Sequence, residues 1–362
     1  MSHATSFTQR PTALAVAALV LLAGPGAVAP VAAQERHTLT GDHVALYNLA
    51  GEIEVVGAAG SQVSVEVRRG GRDGAELSVQ VGAIGGRETL RVIYPGDRVV
   101  YTAGSRWSGS TNLRVQRDGT WGGSTGFLFG GGQRVRVSSR GSGLEAHADL
   151  LVMVPRGQGI DIHLAVGRIW AENVDGRIRL DTHSGAVEAH RMSGSLTIDT
   201  GSGNVEVAGM EGDLLIDTGS GSVRAADVTA DRISIDTGSG SVVAGDLLTE
   251  RLVIDTGSGK VEVRRSEARD VLIDTGSGSV TAEIAGDIDR LMVDTGSGSV
   301  NLWLPENLSA HLVLDTGSGS IDTDFPVTVT RSRRGRLEGQ VGGGRGSIVV
   351  DTGSGNVRLR RM

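Results

Sequence analysis

Residues 235–242 read Ile-Asp-Thr-Gly-Ser-Gly-Ser-Val, and close copies of this segment recur through the C-terminal half of the chain. The aspartates of successive copies are 18–21 residues apart, except for a last step of 36 that contains an insertion. These aspartates are Asp181, Asp199, Asp217, Asp236, Asp255, Asp274, Asp294, Asp315 and Asp351. A repeat this short cannot bury an apolar face alone, so neighbouring copies must stack and share one continuous core.

Apolar and polar residues alternate within each copy, as they do in β-strands. The apolar residues one and three positions before the aspartate, the threonine after it and the valine or isoleucine six positions after it are all predicted to point inward. The aspartate itself is predicted to point outward. The Gly-Ser-Gly corner is expected to use glycine for positive φ angles. The sequence therefore predicts an all-β fold, a β-helix-like β-solenoid with 18–21-residue rungs and right-handed winding.

The composition fits one long solenoid. The chain has 362 residues with 56 glycines, only 3% aromatic residues and no cysteine, so narrow rungs must be held together by stacking and not by disulfides. Residues 1–33 have the features of a secretory signal peptide, with Arg10, an apolar run and a small-residue site before Gln34. The protein is therefore predicted to be exported, to the periplasm or to the cell surface and beyond.

The charge of the mature chain disfavours nucleic acid as a partner. Arg10 is the only charged residue of the signal segment, so the remaining chain has 34 basic and 42 acidic residues. No other apolar stretch approaches the length of a membrane span, so no transmembrane anchor is predicted.

The sequence is predicted to divide into an N-terminal β region, residues 34–155, and the solenoid repeats, residues 156–362. In the first part Tyr47 occupies the aspartate position of a degenerate rung, and an insertion rich in Gly, Ser, Arg and aromatic residues spans 94–143. His163 occupies the aspartate position of another rung, eighteen residues before Asp181. A basic insertion spans 325–347, and the Asp351 copy is expected to form the terminal rung, with its arginines blunting the exposed edge.

The insertion at 94–143 is the predicted recognition segment. Aromatic rings stack on sugars or enter lipid headgroups, and arginine pairs with carboxylates and phosphates. Envelope polysaccharide, lipid headgroups or a surface protein are therefore the expected partners. The alternatives are a disordered insertion or a flap that covers the open end of the solenoid. The candidate ligand-binding residues are Trp107, Trp121, Phe127, Phe129, Arg106, Arg114 and Arg117.

The aspartates are predicted to be structural corner residues. Each carboxylate is expected to accept backbone N–H bonds from the following Gly-Ser-Gly corner, and the inward threonines to donate to corner backbone. Calcium that bridges successive rungs is the alternative, and no other cofactor is predicted. No metal site is predicted at His163, His183 and His190, because they lack the usual ligand spacing. An aspartic protease is excluded, because it needs two aspartates across a cleft whereas these would form a column.

The sequence resembles the bacterial putative-adhesin family of β-strand-repeat envelope proteins, a domain of unknown function. The resemblance rests on the export signal, the Asp-Thr-Gly-Ser-Gly rungs and the segments Tyr47–Val55, Asp324–Val327, Leu337–Gly339 and Val341–Gly344. It implies an envelope β-repeat architecture and supplies no catalytic or binding residues.

Taken together, these features favour an exported, non-enzymatic protein of the cell envelope or surface that acts as an adhesin or structural scaffold. The alternative from another class is a solenoid hydrolase or lyase that acts on acidic polysaccharide. Such a site would need one distinctive carboxylate pair, for instance beside the loop between Trp107 and Trp121.

Overall fold

The computed structural model describes residues 35–102, 107–122 and 132–362. Apart from a short 3-10 turn at Gly74–Glu76, the regular elements of these residues are β-strands. The strands of the N-terminal part are β1 (Glu35–Leu39), β2 (His43–Ala58), β3 (Val63–Gly70), β4 (Ser78–Ile84), β5 (Arg87–Ile93), β6 (Arg98–Val100), β7 (Ser110–Val115), β8 (Gln133–Ser138), β9 (Leu144–Glu145) and β10 (His147–Pro155). The predicted signal segment, residues 1–33, lies outside the described residues.

The remaining strands form the repeats. They are β11 (Gln158–Glu172), β12 (Asp175–Thr200), β13 (Val205–Glu211), β14 (Leu214–Thr218), β15 (Val223–Thr237), β16 (Val242–Ser258), β17 (Val261–Ser277), β18 (Val280–Ile284), β19 (Arg290–Thr295), β20 (Val300–Leu304), β21 (Ala310–Ser318), β22 (Ile321–Thr323), β23 (Thr328–Arg333), β24 (Arg336–Val341), β25 (Gly346–Ser354) and β26 (Val357–Arg361).

The repeats stack as a β-solenoid, which confirms the predicted fold class. Each rung places one strand before its Gly-Ser-Gly corner and one after it, and both pair in parallel with the same strands of the next rung. For example, Asp236 lies opposite Asp217 on one side and Asp255 on the other. The right-handed winding stays a prediction.

The predicted inward columns form the core. The apolar residues before the aspartates, the threonines after them and the valines after the corners are buried along the stack, and only Ile321 is half-buried. As predicted, threonine hydroxyls bond to corner backbone: Thr237 Oγ1 donates to Gly221 O (3.0 Å) and Thr256 Oγ1 to Gly240 O (3.1 Å). Thr237 and Thr256 therefore tie their rungs to the corners of the rungs before them, whereas the buried hydroxyl of Thr218 has no partner among the described residues.

The second glycine of each corner is required by close approach between rungs. A Cβ on Gly240 would lie 1.8 Å from Gly221 O, and a Cβ on Gly221 would lie 1.8 Å from Gly203 O. Neither Gly221 nor Gly240 has a positive φ angle. The expected role of positive φ is therefore wrong at these corners, where the absence of a side chain is what matters.

The last copy of the repeat is not the terminal rung, so that prediction is wrong. Asp351 lies opposite Asp294 on one side and Asp315 on the other, which inserts β25 and β26 between two rungs that precede them in sequence. Threonine hydrogen bonds follow the same order, because Thr352 donates to Gly298 O (2.9 Å) and Thr316 to Gly355 O (2.8 Å).

The basic insertion is a hairpin that covers the end of the stack. Strand β24 pairs antiparallel with β21, the strand of the Asp315 rung, and β23 pairs antiparallel with β24. Every residue of β23 is exposed. The connection from β24 to β25 passes over β21, because Val341 and Gly346 both lie opposite Ala310.

The N-terminal strands form the other end of the stack. Strand β2 is the degenerate rung, because Tyr47 lies opposite His163, and His163 lies opposite Asp181. On its outer side β2 pairs with β5 and β10, and β10 continues through β3 to β1. The boundary after Pro155, as a division into separate units, stays a prediction.

Residues from the predicted insertion at 94–143, together with Leu144–Glu145 directly after it, form a second, small sheet, in which β7 pairs with β8, β8 with β6 and β6 with β9. Val99, Val135 and Val137 of this sheet are buried in the core. The described parts of the insertion are therefore ordered and packed.

Candidate functional site

The aspartate column is a surface feature that runs the length of the repeats. Eleven stacked parallel segments carry the aspartates together with His163 and Tyr47, which continue the column. At about 4.8 Å per strand the stack is a rod about 48 Å long. In spatial order the segments are 44–47, 160–164, 178–182, 196–200, 214–218, 233–237, 252–256, 271–275, 291–295, 348–352 and 312–316.

The carboxylates in the middle of the column have no directly bonded counter-charge among the described residues. No hydrogen bond or ion pair joins its carboxylates to another described residue at Asp217, Asp236, Asp255, Asp274, Asp294 and Asp351. Burial and the neighbouring carboxylates raise the pKa of Asp236, Asp274 and Asp351 above the usual value.

Hydrogen-bonding partners occur at the ends of the column. Asp315 accepts from Arg336 Nη1 (2.6 Å), Asp199 from Arg179 Nη2 (3.1 Å), and Asp181 Oδ2 lies 3.1 Å from His163 Nδ1. The column thus has side-chain partners at its ends and none among the described residues in between.

The predicted hydrogen bonds from the corners to the aspartates are absent among the described residues, so that prediction is wrong. The corner amides donate along the stack instead, as Gly219 N does to Thr200 O (2.9 Å) and Gly238 N to Thr218 O (3.0 Å). Because the ladder uses these donors, the carboxylates are left to solvent. Calcium bridging stays an untested alternative, and no group of three or more His, Cys, Asp or Glu among the described residues is arranged to hold a metal ion.

The predicted recognition residues do not form one exposed cluster. Trp121 is 6% exposed and packs edge-on against Tyr47 (6.2 Å between ring centroids) and His163 (5.8 Å). Trp107 is half-buried, whereas Arg114 and Arg117 are exposed. Arg106, Phe127 and Phe129 lie outside the described residues. In its described part the segment therefore buries one tryptophan against outward side chains of the first two rungs and exposes two arginines.

The contacts of Trp121 lead to a histidine and not to a carboxylate pair. His163 is 8% exposed, stacks on Tyr47 with 4.3 Å between ring centroids, and contacts the carboxylate of Asp181. Burial raises the pKa of the Tyr47 hydroxyl. The carboxylate pair that would favour a hydrolase is not present at this tryptophan among the described residues.

A groove that the sequence did not single out lies on the outward face of β3, β10, β2 and β11. We call it the Trp170 groove; it has a volume of about 600 Å³. Its lining residues are Glu52, Ile53, Glu54, Glu66, Val67, Arg68, Asp149, Leu150, Leu151, Arg168, Trp170 and Glu172. Trp170 is half-buried and stacks on His190 with 4.6 Å between ring centroids. The groove thus combines one oriented aromatic ring with carboxylates and two arginines.

A second groove, of about 880 Å³, follows the return side of the rungs. Its floor is made of small residues, among them Gly212, Ala230 and Ala268. Among the described residues that line it, Arg269 is the one cation, and the carboxylates are Glu211, Asp213, Asp231, Glu250, Glu267 and Asp287. None of these described lining residues is aromatic, so the groove offers charge but no ring for stacking.

Comparison with known proteins identifies the family. A family model described as Toastrack DUF4097 matches residues 100–360, which is more than half of the chain. The chain belongs to the Toastrack family. Membership confirms the resemblance to a β-strand-repeat domain of unknown function.

Other comparisons add little to the Toastrack assignment. No curated protein matches the sequence. One solved structure, described as a putative cell adhesion protein from Clostridium sporogenes, is 10% identical with a TM-score of 0.21. The match covers 91% of this chain and 100% of that chain. Among the described residues of this Toastrack protein, no helix is long and apolar enough to cross a bilayer.

Proposed function

We propose that this Toastrack protein is an exported, non-enzymatic scaffold of the cell envelope or surface with an adhesive role. The signal-like segment at 1–33 supports export. A rod of about 48 Å suits a spacer that holds binding surfaces away from its attachment point.

The observation that carries the proposal is the repetition of the outward positions. Residues at equivalent positions of successive rungs lie opposite each other for most of the stack. A hydrolase or lyase needs carboxylates whose environments differ, so that one is an acid while the other is charged. The aspartate column repeats one environment along its middle, which supports a recognition surface over a catalytic centre.

The segment at 94–143 remains a proposed contact region within this role. Arg114 and Arg117 are exposed and could pair with phosphate or carboxylate groups of an envelope polymer or lipid. Trp107, half-buried beside Tyr101 (6.5 Å between ring centroids), would supply an aromatic edge. Trp121 has a packing role in addition to any contact that it makes.

Binding to envelope components tests the function. Purified residues 34–362 would be incubated with peptidoglycan, acidic polysaccharide, anionic vesicles and whole bacterial cells, and the bound fraction measured after sedimentation. We expect binding to at least one of these components. No binding to any of them would overturn the adhesive role.

A pair of variants then locates the contact. Deleting 97–140 would remove buried residues of β6 and β8, so Arg114→Ser with Arg117→Ser is the cleaner change, because both side chains are exposed. Arg331→Ser with Arg333→Ser on the exposed strand β23 is the matched control for lost positive charge. Loss of binding only in the first pair supports the segment, and equal loss in both pairs assigns the effect to overall charge.

A further inference from the structure

We propose that the Trp170 groove binds an amino-sugar glycan, with a pyranose ring on the indole of Trp170 and an ammonium group at the carboxylate of Glu54. This inference deepens the adhesive role proposed above and rests on it.

The indole is held in a fixed orientation. Trp170 points outward from β11, and the ring of His190 on the neighbouring strand stacks on it with an interplanar angle of 30°. The guanidinium carbon of Arg168 lies 6.0 Å from the indole centroid. Arg168 is itself placed between Glu52 (3.9 Å) and Glu188 (3.7 Å). A ring oriented in this way loses little freedom when a flat ligand stacks on it.

One row of outward side chains, in which glutamates flank Leu151 and Trp170, crosses the groove and continues beyond it. In register from strand to strand, the row reads Glu66, Leu151, Glu54, Trp170, Glu188 and Glu206. At about 4.8 Å per strand the row is about 24 Å long. The row therefore suits an extended chain that lies along the axis of the stack.

The charge of the groove selects the sign of the ligand. Glu54, which is exposed next to Trp170, makes no ion pair or hydrogen bond with another described residue. Of the five carboxylates in the lining, Glu66 and Glu172 pair with Arg36 and Arg191 from outside it, and Glu52 lies beside Arg168. Glu54 is therefore the carboxylate that would repel a uronic acid placed beside the indole and attract an ammonium group there.

The backbone favours a glycan over a basic peptide. Strands β3, β10, β2 and β11 each have a pairing partner on both sides at the groove. No strand edge is therefore open for a peptide main chain, which would leave its own N–H and C=O groups without ladder partners. A glycan has no such requirement, because its hydroxyl and amino groups can bond to side chains such as Glu54 and Arg168.

A titration with defined oligomers tests the inference. Residues 34–362 would be titrated with a β-1,4-linked glucosamine hexasaccharide, its N-acetylated form, a galacturonic acid hexasaccharide and an oligolysine peptide, with tryptophan fluorescence and calorimetry as readouts. The glucosamine oligomer is expected to bind at least about tenfold more tightly than the other three probes. Absence of its binding, or equal affinity for any other probe, would overturn the proposal.

Point variants assign the site. Trp170→Ala and Glu54→Gln are each expected to weaken glucosamine binding by at least about tenfold. Trp303→Ala is the matched control, because Trp303 is also half-buried and outward-facing, on the distant strand β20. Glu54→Gln changes an exposed side chain and leaves the fold intact, so it remains decisive if Trp170→Ala lowers the melting temperature. Unchanged affinity in Glu54→Gln, or equal loss in Trp303→Ala, would overturn the assignment.

The failure of this inference is distinguishable from the failure of the envelope role. If the protein sediments with whole cells but does not bind the glucosamine oligomer, the groove assignment is wrong and the adhesive role stands. If it binds neither, both proposals fall.

Discussion

Replacement of Asp236 by asparagine removes one carboxylate from the middle of the aspartate column, and we expect it to stabilise the protein at pH 7. Asp236 lies between Asp217 and Asp255 and has no hydrogen-bond or ion-pair partner among the described residues. Asparagine keeps the size of the side chain and removes the charge. The substitution therefore isolates the electrostatic cost of the column.

The magnitude follows from the strand spacing. Two unit charges about 4.8 Å apart repel by about 0.9 kcal/mol at the dielectric constant of water. Physiological salt, with a Debye length of about 8 Å, roughly halves this value. With two neighbours, Asp236→Asn should raise the free energy of unfolding by about 1 kcal/mol.

The pH dependence has a definite sign. Burial and the carboxylates of Asp255 and Asp217 raise the pKa of Asp236 in the folded protein above its ordinary value of 3.8. The folded state therefore binds protons more readily than the unfolded state, and stability falls as the pH rises through the folded-state pKa. The gain from Asp236→Asn should be present at pH 7 and vanish below pH 3.8.

Urea denaturation of residues 34–362 at several pH values, in low and high salt, measures this effect. Asp246→Asn is the matched control, because hydrogen bonds from Arg265 lower the pKa of Asp246. That substitution should destabilise the protein at pH 7, with the effect lost as the pH falls through the pKa of Asp246. Destabilisation by Asp236→Asn relative to the wild type at pH 7 that disappears when both proteins are measured in EDTA would refute the reasoning and favour calcium bridging.

Two further predictions test the packing of the rungs. Gly240→Ala should destabilise the protein by at least about 2 kcal/mol, because its Cβ would lie 1.8 Å from a backbone oxygen, whereas Gly245→Ala meets nothing closer than 3.8 Å and should be nearly neutral in urea denaturation. A similar cost for both alanines would contradict the close approach of corners. In this cysteine-free chain, Met292→Cys with Val349→Cys should form a disulfide, because the two residues lie opposite each other, about 4.8 Å apart. Met292→Cys with Val313→Cys should form none, because the Asp351 rung separates them, and the reverse result by mass spectrometry would restore the sequential order.

The stacked columns of buried residues were predictable because equivalent positions of successive rungs have the same surroundings. Ile235 and Thr237 are separated by one outward residue, so period-two alternation alone places both in the core. Tyr47 and His163 could be placed in the aspartate column for the same reason, since their flanking residues keep the alternation. The alternation of apolar and polar residues therefore predicts correctly which side chains are buried wherever each rung stacks on the rung before it in sequence.

The order of the last rungs was not predictable from local pattern. The Asp351 copy has the same Asp-Thr-Gly-Ser-Gly sequence as the others and could pair with any rung. Its position depends on the hairpin of β23 and β24, which occupies the outer edge of β21 and leaves only the inner edge for β25. The order of the last rungs is thus decided by pairing between strands that are far apart in sequence, and a local sequence pattern does not reveal such pairing.

The Trp170 groove was not predicted from the sequence, because most aromatic residues of the chain lie in the insertion at 94–143. Trp121, one of its aromatics, is buried, whereas Trp170 stands alone in a regular rung. The sequence signal that could have indicated the groove is the residue type at one outward position. Trp170 occupies this position in β11, whereas Glu188 and Glu206 occupy it in the next two rungs. A large aromatic residue at a position that the repeat otherwise gives to charge indicates a surface with a use of its own.

An envelope role requires that the protein is exported. Labelling of a single introduced cysteine measures export directly. Ser239→Cys places a thiol at an exposed corner of a chain that has no other cysteine. The full-length variant would be expressed in bacterial cells with an intact inner membrane, treated with a membrane-impermeant maleimide and weighed by mass spectrometry. We predict a labelled protein that begins at Gln34. A full-length protein that is labelled only after lysis would contradict the account.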